Sequence, residues 1–446
     1  MLGARDAPIH WAQEMFDQAG MLRELVGWDY ELRDGAQVTD VVDRALDVAC
    51  TEPRGPVYLT LPREVLAAPV FGTDDRPAPA GPTPAHPEPA AVDRLADLLA
   101  AAEFPVVVTA DAGADLAAVP LLDQLCRRFG IAVVEHGTRH VNVPADHPLH
   151  AGYAVDAVLG DADVLLVLDH DVPWIPGTAG PRPDAVVVQA GPDPHFTRYP
   201  MRTHRADLSI TACGTALLQA LTTAMAQRTS DPARGERLAE RVRGWRGRRD
   251  QVLAADFESA DPITKPVLNA ALARVRPADA VVVSEYWGSA ELLGSTVPGT
   301  FYGTPPAGGL GWGLPAAMGL QMARPEATVI ATVGDGAYLF ANPAACHQAM
   351  AMHDLPVLTI VCTNAHWGAV QGSALRMYPD GHAAAAADLS PLARLDPAPR
   401  YTAYAEASGG VGIEVRERAA LVPALEKALR TVQEDRRHVL VDVRCA

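Results

Sequence analysis

The stretch Val329-Ile-Ala-Thr-Val-Gly-Asp-Gly336 decides the fold of this chain, because an apolar run passes directly into Gly334-Asp335-Gly336. A second apolar run, Val357-Leu-Thr-Ile-Val-Cys362, follows after a helix-length interval and leads to Asn364. Apolar runs of this length are typical of buried parallel strands. Since the carboxyl ends of parallel strands meet at one edge of a sheet, we expect Asp335 and Asn364 to lie close together there.

The chemistry of these residues suits a diphosphate and a metal ion. Glycine has no Cβ, so the backbone at Gly334 and Gly336 can approach a diphosphate closely, and the following helix can offer N–H groups to it. The Asp335 carboxylate and the Asn364 amide oxygen are ligands that Mg²⁺ accepts, with phosphate oxygens and water completing its shell. Gly-Asp-Gly alone is typical of a simple turn. Its place between a strand, a helix and a second strand leading to asparagine indicates the diphosphate and metal site.

Further motifs occur around this site and near the N-terminus. They are Ala307-Gly-Gly-Leu-Gly-Trp-Gly-Leu-Pro-Ala-Ala-Met318, Asn342-Pro-Ala-Ala-Cys-His347, Trp367-Gly-Ala-Val370, Met377-Tyr-Pro-Asp-Gly381 and Thr51-Glu-Pro-Arg-Gly-Pro-Val-Tyr-Leu-Thr-Leu-Pro-Arg-Glu64. Together they resemble the acetolactate synthase-like branch of the thiamine-diphosphate enzymes, and the last one resembles the end of that family's pyrimidine-binding domain. The resemblance implies an α/β fold with parallel-sheet α/β domains of the thiamine-diphosphate-binding type and a central Rossmann-like domain.

Two polar stretches divide the chain. Prolines recur from Phe71 to Ala91, which favours an extended linker. Residues 227–262 are rich in Arg, Glu and Asp and predict an exposed charged helix over Glu236 to Arg249. We therefore predict the end of a pyrimidine-binding domain at 1–70, a proline-rich linker at 71–91, a central Rossmann-like domain at 92–226, a charged linker at 227–262 and a diphosphate-binding domain at 263–446.

Composition restricts the partners and the compartment. The chain has 446 residues and a formal net charge of -17, which argues against nucleic acid or an anionic membrane as the main partner. The N-terminus lacks the apolar stretch of a signal peptide, and no later run is long and apolar enough to span a bilayer. The six cysteines lie far apart and form no CxxC pair, which favours reduced thiols. We predict a cytoplasmic protein.

The first segment is short for an α/β domain. Trp11 to Leu32 and Val38 to Cys50 predict amphipathic helices and Val57 to Leu61 predicts a strand, which is too little for an independent sheet. In the resembled family, roughly a hundred further residues of a typical domain precede this material and carry the catalytic glutamate. Glu14, Glu24 and Glu31 are interpreted instead as solvated helix positions.

We therefore expect a small partner polypeptide that completes the pyrimidine-binding domain and supplies the glutamate. In the resembled family the active site lies between the pyrimidine-binding domain of one protomer and the diphosphate-binding domain of another. This implies self-association through those domains, with two copies of each chain in the active assembly.

The resemblance also implies roles for individual residues. Asp335, Asn364 and the backbone carbonyl of His366 would bind Mg²⁺. Gly336 and Ala337 would offer backbone N–H groups to the diphosphate, which would also lie close to Gly334. Leu310 would wedge the thiamine diphosphate into its bent conformation. Gly308 would accept a hydrogen bond from the amino group of the cofactor through its carbonyl.

Other residues near these motifs have open alternatives. His366, Trp367 and Gln371 are candidates for substrate contacts, although His366 is equally well interpreted as lending only its carbonyl. Glu285 and Tyr286 border either the diphosphate or the substrate. The remaining interpretations are that Trp287 is core, that His347 is an interior histidine, and that Ala365 and Ala337, where the family usually has Asn and often Ser or Thr, cost little.

The resemblance implies an enzyme that decarboxylates a pyruvate-like 2-oxo acid and passes the acyl unit to a second carbonyl or to a proton. A competing hypothesis is an inactive paralogue with a scaffolding or regulatory role, and a third is the product of a truncated gene. The central domain resembles one that binds FAD in some relatives. It contains no glycine-rich dinucleotide motif, so FAD is doubtful.

Overall fold

The computed structural model describes residues 15–69, 80–258, 262–386 and 393–445. Within these ranges the strands form three parallel sheets, one in each of three successive parts of the chain. The α/β fold with parallel sheets is therefore confirmed. The domain boundaries themselves stay predictions.

The first part holds the smallest sheet. Its elements are β1 (Trp28–Glu31), α1 (Val38–Cys50), β2 (Val57–Thr60) and α2 (Arg63–Ala67). β1 and β2 pair in parallel, with Trp28 opposite Val57, and α1 connects them. The predicted helix over residues 38–50 and the predicted strand at 57–61 are confirmed. Among the described residues, no other strand joins this sheet.

The predicted helix over Trp11 to Leu32 is wrong in its described part. Residues 28–31 form β1 because aromatic and acidic residues alternate there with the period of a strand, and the rings of Trp28 and Tyr30 stack on one side at 5.5 Å. Glycines at 20 and 27 also disfavour a continuous helix. Glu24 therefore lies in a turn and Glu31 in a strand. Glu14 lies outside the described residues.

The central part is a doubly wound sheet. Its elements are α3 (Pro89–Ala101), β3 (Pro105–Thr109), α4 (Ala118–Phe129), β4 (Ala132–Val134), α5 (Asp156–Leu159), β5 (Val164–Leu168), β6 (Val186–Gly191), β7 (Leu208–Thr211) and α6 (Gly214–Met225). The strand order is β4-β3-β5-β6-β7, all parallel. The order reverses between β3 and β5, where folds of this type bind ligands.

The charged segment after α6 forms α7 (Arg234–Glu258), which is more buried than the predicted exposed helix. Leu238 and Val242 pack into the core of the central domain. The Arg234 side chain is buried, and its guanidinium donates to the carbonyls of Leu99, Ala100, Ala102 and Phe129 at 2.6–3.2 Å. A buried face at every fourth residue therefore fixes the start of α7 to the ends of α3 and α4.

The last part carries the largest sheet. Its elements are α8 (Lys265–Val275), β8 (Val281–Ser284), α9 (Ala290–Leu293), β9 (Phe301–Tyr302), α10 (Gly313–Ala323), β10 (Val329–Gly334), α11 (Asp335–Phe340), α12 (Pro343–Met352), β11 (Leu358–Thr363), α13 (Gly368–Met377), α14 (His382–Ala385), α15 (Thr402–Ala407), β12 (Val411–Val415), α16 (Arg418–Gln433) and β13 (Val439–Arg444). The strand order is β12-β13-β11-β10-β8-β9. Gly334 pairs with Cys362, so Asp335 and Asn364 emerge from neighbouring strands at the same edge.

Two further features of the structure concern the cysteines and the apolar character of the helices. The six cysteines are free, with Cys50 exposed and the others buried. Among the described helices, none has both the length and the apolar character needed to cross a membrane.

Candidate functional site

The Asp335 carboxylate lies at the junction of β10 and β11. One carboxylate oxygen accepts hydrogen bonds from the backbone N–H groups of Asn364 (3.2 Å) and Ala365 (2.7 Å), and the other accepts from Gly336 (2.9 Å). Asp335 is buried, and burial raises its pKa against the opposing effect of these N–H donors. The two residues that the sequence predicts to meet at this edge are therefore joined directly.

The segment after β11 is held in a fixed conformation. The Asn364 side-chain oxygen accepts from the backbone N–H of His366 at 3.1 Å. The Ala365 carbonyl accepts from Leu395, and the Trp367 N–H donates to Ala393, so this segment is fixed on both sides. Ala365 has φ 58°, in the left-handed region that Asn and Gly adopt more readily than Ala. The asparagine that is usual here in the resembled family adopts this conformation more readily than alanine. The expectation that Ala365 costs little did not consider this difference in backbone conformation.

These residues fit a divalent cation that has few protein ligands. Among the residues that the structure describes, no group of three or more His, Cys, Asp or Glu side chains is arranged to hold a metal. A cation at Asp335 would thus meet one carboxylate and neutral oxygens, which suits Mg²⁺ that also binds phosphate and water. It would also relieve the unfavourable burial of the Asp335 charge. The metal roles of Asp335, Asn364 and the His366 carbonyl stay predictions.

Both glycines of the turn are covered by aromatic rings. A Cβ at Gly336 would lie 2.3–3.0 Å from ring atoms of Trp367, and a Cβ at Gly334 would lie 3.4 Å from the Tyr286 ring. The Trp367 ring also meets Phe340 edge-on, with centroids 5.6 Å apart. Close approach at Gly336 therefore serves the packing of Trp367. Ala337, the next residue, is buried in α11.

The loop of residues 308–313, which we call the Leu310 loop, packs against the end of α11. Gly308 and Gly311 have φ values of 61° and 86°, and a Cβ at Gly311 would lie 2.7–2.9 Å from the backbone of Phe340 and Ala341. Leu310 itself is 49% exposed. An exposed bulky side chain on a loop that packs against the end of α11 agrees with the predicted wedge, whose role stays a prediction.

The structure gives Glu285 a definite set of contacts. Its carboxylate accepts from the N–H groups of Gly311 (2.5 Å) and Gly313 (2.7 Å), and it is buried. Burial raises the pKa of Glu285, and the two N–H donors oppose this. The sequence alone did not predict these hydrogen bonds, because Gly311 and Gly313 lie 26 and 28 residues from Glu285. A glutamate at the end of a strand near a glycine-rich loop was the available signal.

Of the two residues after Glu285, the first is exposed and the second belongs to the core. Tyr286 is 46% exposed, and the Lys265 ammonium lies 4.2 Å from the centre of its ring. Trp287 is buried and donates through its indole N–H to the Val333 carbonyl, as expected for a core residue. His347 is also interior. It is paired with the Tyr338 hydroxyl at 2.9 Å, and burial lowers its pKa to about 3.

The three predicted substrate contacts lie together but differ in orientation. The His366 ring turns back, with Nδ1 2.9 Å from the Asn364 carbonyl. The Trp367 ring lies over Gly336, as described above. Gln371 is partly buried in the first turn of α13, and its N–H donates to the Trp367 carbonyl. Their substrate roles stay predictions.

The crevice of the central sheet is acidic. Asp111 follows β3 and Asp169 follows β5, at the point where the strand order reverses. Burial, together with the charges of Asp111, Glu52 and Asp115, raises the pKa of Asp169 to about 7. The start of α6 is also closed, because the Asp169 carboxylate occupies the space where a Cβ of Gly214 would lie. A pyrophosphate would meet carboxylates here, which adds a physical argument to the doubt about FAD.

Comparison with known proteins agrees with this architecture. The central domain of thiamine pyrophosphate enzymes matches residues 92–221, and their C-terminal TPP binding domain matches residues 284–443. A sulfoacetaldehyde acetyltransferase of Rhodobacter capsulatus is 30% identical, over 93% of this chain and 73% of that protein. An acetolactate synthase large subunit of Mycobacterium tuberculosis is 28% identical, over 96% of this chain and 76% of that protein.

A solved structure shares the fold. The benzoylformate decarboxylase of Polynucleobacter necessarius superposes with a TM-score of 0.74 at 21% identity, covering 94% of this chain and 76% of that one. The resemblance and the fold class predicted from the sequence motifs are thus confirmed.

Proposed function

Because this chain belongs to the family of thiamine pyrophosphate enzymes, we propose that it uses thiamine diphosphate and Mg²⁺ to decarboxylate a pyruvate-like 2-oxo acid and to transfer the acyl unit. The acceptor is a second carbonyl group or a proton. The observation that carries the proposal is the buried Asp335 carboxylate, which accepts a hydrogen bond from the backbone N–H of Asn364 where two neighbouring strands end. Thiamine diphosphate, when bound, supplies the electron sink for decarboxylation.

In this proposal, the residues of the chain hold and orient the metal and the cofactor. Asp335, Asn364 and the His366 carbonyl would hold Mg²⁺. The Ala337 N–H would donate to the diphosphate, as would the Gly336 N–H, which donates to the Asp335 carboxylate in this structure. Leu310 would lie against the cofactor, and the Gly308 carbonyl would accept a hydrogen bond from its amino group. The names of the two curated relatives describe acetyl transfer and acetolactate synthesis, which favours a two-carbon acyl unit for this chain too.

The metal site gives the direct test. Asp335→Ala removes the carboxylate assigned to Mg²⁺, so calorimetry should show loss of Mg²⁺-dependent thiamine diphosphate binding while the circular dichroism of the fold is retained. Asp279→Ala, at an exposed position preceding β8, is the matched control and should bind as the wild type does. Unchanged cofactor affinity in the Asp335 variant would show that the site has been misassigned.

We also propose that a small separate polypeptide completes the first part of the chain and carries the catalytic glutamate. The proposal is supported by the sheet of β1 and β2, since an isolated two-stranded sheet is marginal in water. Apolar side chains of the same part are exposed, including Phe16, Met21 and Leu25 and, on α1, Leu46. These exposed side chains support the proposed partner. The active assembly would contain two copies of each chain.

Reconstitution tests this second proposal. The purified chain should be inactive or aggregated alone, should turn over a 2-oxo acid when a candidate companion is added, and should lose turnover when the companion's glutamate becomes glutamine. Full turnover by a homo-oligomer without a second polypeptide would contradict it. Cofactor binding without turnover under any of these conditions would favour the inactive scaffold instead.

A further inference from the structure

We propose that Glu285 is a positioning residue. It fixes the position of Leu310 by accepting hydrogen bonds from two backbone N–H groups of the Leu310 loop. This inference rests on the proposed function, since it concerns how the wedge is kept in place. It assigns Glu285 neither to the diphosphate nor to the substrate, the two roles that the sequence left open.

The contacts of the carboxylate carry the inference. Its two oxygens are divided between two donors on the same loop, at 2.5 Å to Gly311 and 2.7 Å to Gly313. Gly311 directly follows Leu310 and Gly313 lies two residues further on, so the carboxylate fixes the chain immediately beyond the wedge. A Cβ at Gly313 would lie 2.9 Å from Glu285 atoms, which shows how closely the loop approaches.

The loop has a reason to need such an anchor. Gly308 and Gly311 both have positive φ, and residues 303–312 precede α10 without forming part of a helix or strand. Glycine-rich backbone of this kind has many accessible conformations and loses much entropy when it is fixed. Hydrogen bonds to an ionised acceptor are about twice as strong as neutral ones, so a buried carboxylate is an effective clamp.

Only an ionised carboxylate of this length satisfies both donors. Glutamine presents one acceptor oxygen, and its NH₂ group would face the second backbone N–H, donor against donor. Aspartate is shorter by one methylene group. Glu285→Gln should therefore release one side of the loop while it keeps nearly the same volume. The residues proposed to hold the diphosphate and the metal follow β10 and β11, and Glu285→Gln leaves their hydrogen bonds unchanged.

The inference predicts a divided kinetic effect. A displacement of about 1 Å at a positioning group costs about 100-fold in rate, so kcat of Glu285→Gln, measured in the assembly with the companion chain, should fall by about 10- to 100-fold. The dissociation constant of thiamine diphosphate should change by no more than about threefold, because its diphosphate contacts are intact. Glu326→Gln, an exposed glutamate preceding β10, is the control and should change neither quantity.

A readout independent of turnover is hydrogen exchange of the full chain without cofactor. In Glu285→Gln, the amides of Gly311 and Gly313 should exchange faster, whereas those of Asn364 and Ala365, which donate to Asp335, should stay protected. Unchanged exchange at Gly311 and Gly313 would overturn the inference. Equal losses in kcat and cofactor affinity would also overturn it, because they indicate general packing. Failure of the wild-type chain to bind thiamine diphosphate would instead remove the proposed function, and the exchange result would still show whether Glu285 holds the loop.

Discussion

Gly336→Ala tests whether the Trp367 ring lies where the structure places it. The added Cβ would lie 2.3 and 2.5 Å from two ring carbons, whereas ordinary carbon contacts are about 3.5–4.0 Å. The ring would have to move by more than about 1 Å, which would disturb its edge contact with Phe340. Overpacking of this kind costs about 1–3 kcal/mol.

The helix preference of alanine opposes this cost. Gly336 lies in α11, and alanine is favoured over glycine within a helix by about 0.5–1 kcal/mol. With the ring present, we expect Gly336→Ala to lower the free energy of unfolding by up to about 2.5 kcal/mol. In a Trp367→Ala background the clash disappears, so the same substitution should raise it by up to about 1 kcal/mol.

The assay is a double-mutant cycle on urea unfolding midpoints, with Gly372→Ala as the control. Gly372 lies in α13 with open space around its Cβ position, so alanine there should be stabilising in both backgrounds. A stabilising Gly336→Ala in the wild-type background would refute the packing described for the turn. Absence of coupling between positions 336 and 367 would refute it equally.

Two further predictions concern the wedge and the central crevice. Leu310→Ala should reduce turnover far more than cofactor affinity, because the diphosphate contacts remain while the reactive geometry is lost, and parallel measurement of kcat and the cofactor dissociation constant decides this. Asp169→Asn should stabilise the chain at pH 8 but not at pH 4, as measured by urea unfolding at both pH values. The pKa of Asp169 is about 7 in the folded chain and near 3.9 when unfolded, so the wild type loses stability as pH rises between these values, by about 1.4 kcal/mol for each pH unit at most. An equal effect at both pH values would show that the Asp169 charge is not responsible.

Continuous apolar runs made the buried strands predictable. The runs at 329–333 and 357–362 coincide with strands to within a residue. Strands with a weaker apolar pattern give no such signal. β12 contains Gly412 and is only partly buried, and β7 alternates exposed and buried positions over four residues. Such segments become strands because a neighbouring strand supplies hydrogen bonds, and local sequence does not report that.

The candidate site was likewise predictable only in part. Asp335 and Asn364 were predictable because each follows a recognisable strand and parallel strands end at one edge. The contacts of Glu285 with the Leu310 loop and of Trp367 with Gly336 were not, because they join segments that are distant in sequence and depend on rotamers. β1 shows the reverse error, in which a short apolar and acidic alternation was interpreted as a helix.

The position of Trp367 also has an optical consequence. Its indole lies against the glycine turn and touches the edge of Phe340, and it is only partly buried, so its emission depends on how the turn is packed and hydrated. Six other tryptophans contribute a background that a Trp367→Phe protein would define by subtraction. The difference spectrum would be an intrinsic probe at the sheet edge, and it would allow occupancy of the turn to be followed in real time without a label.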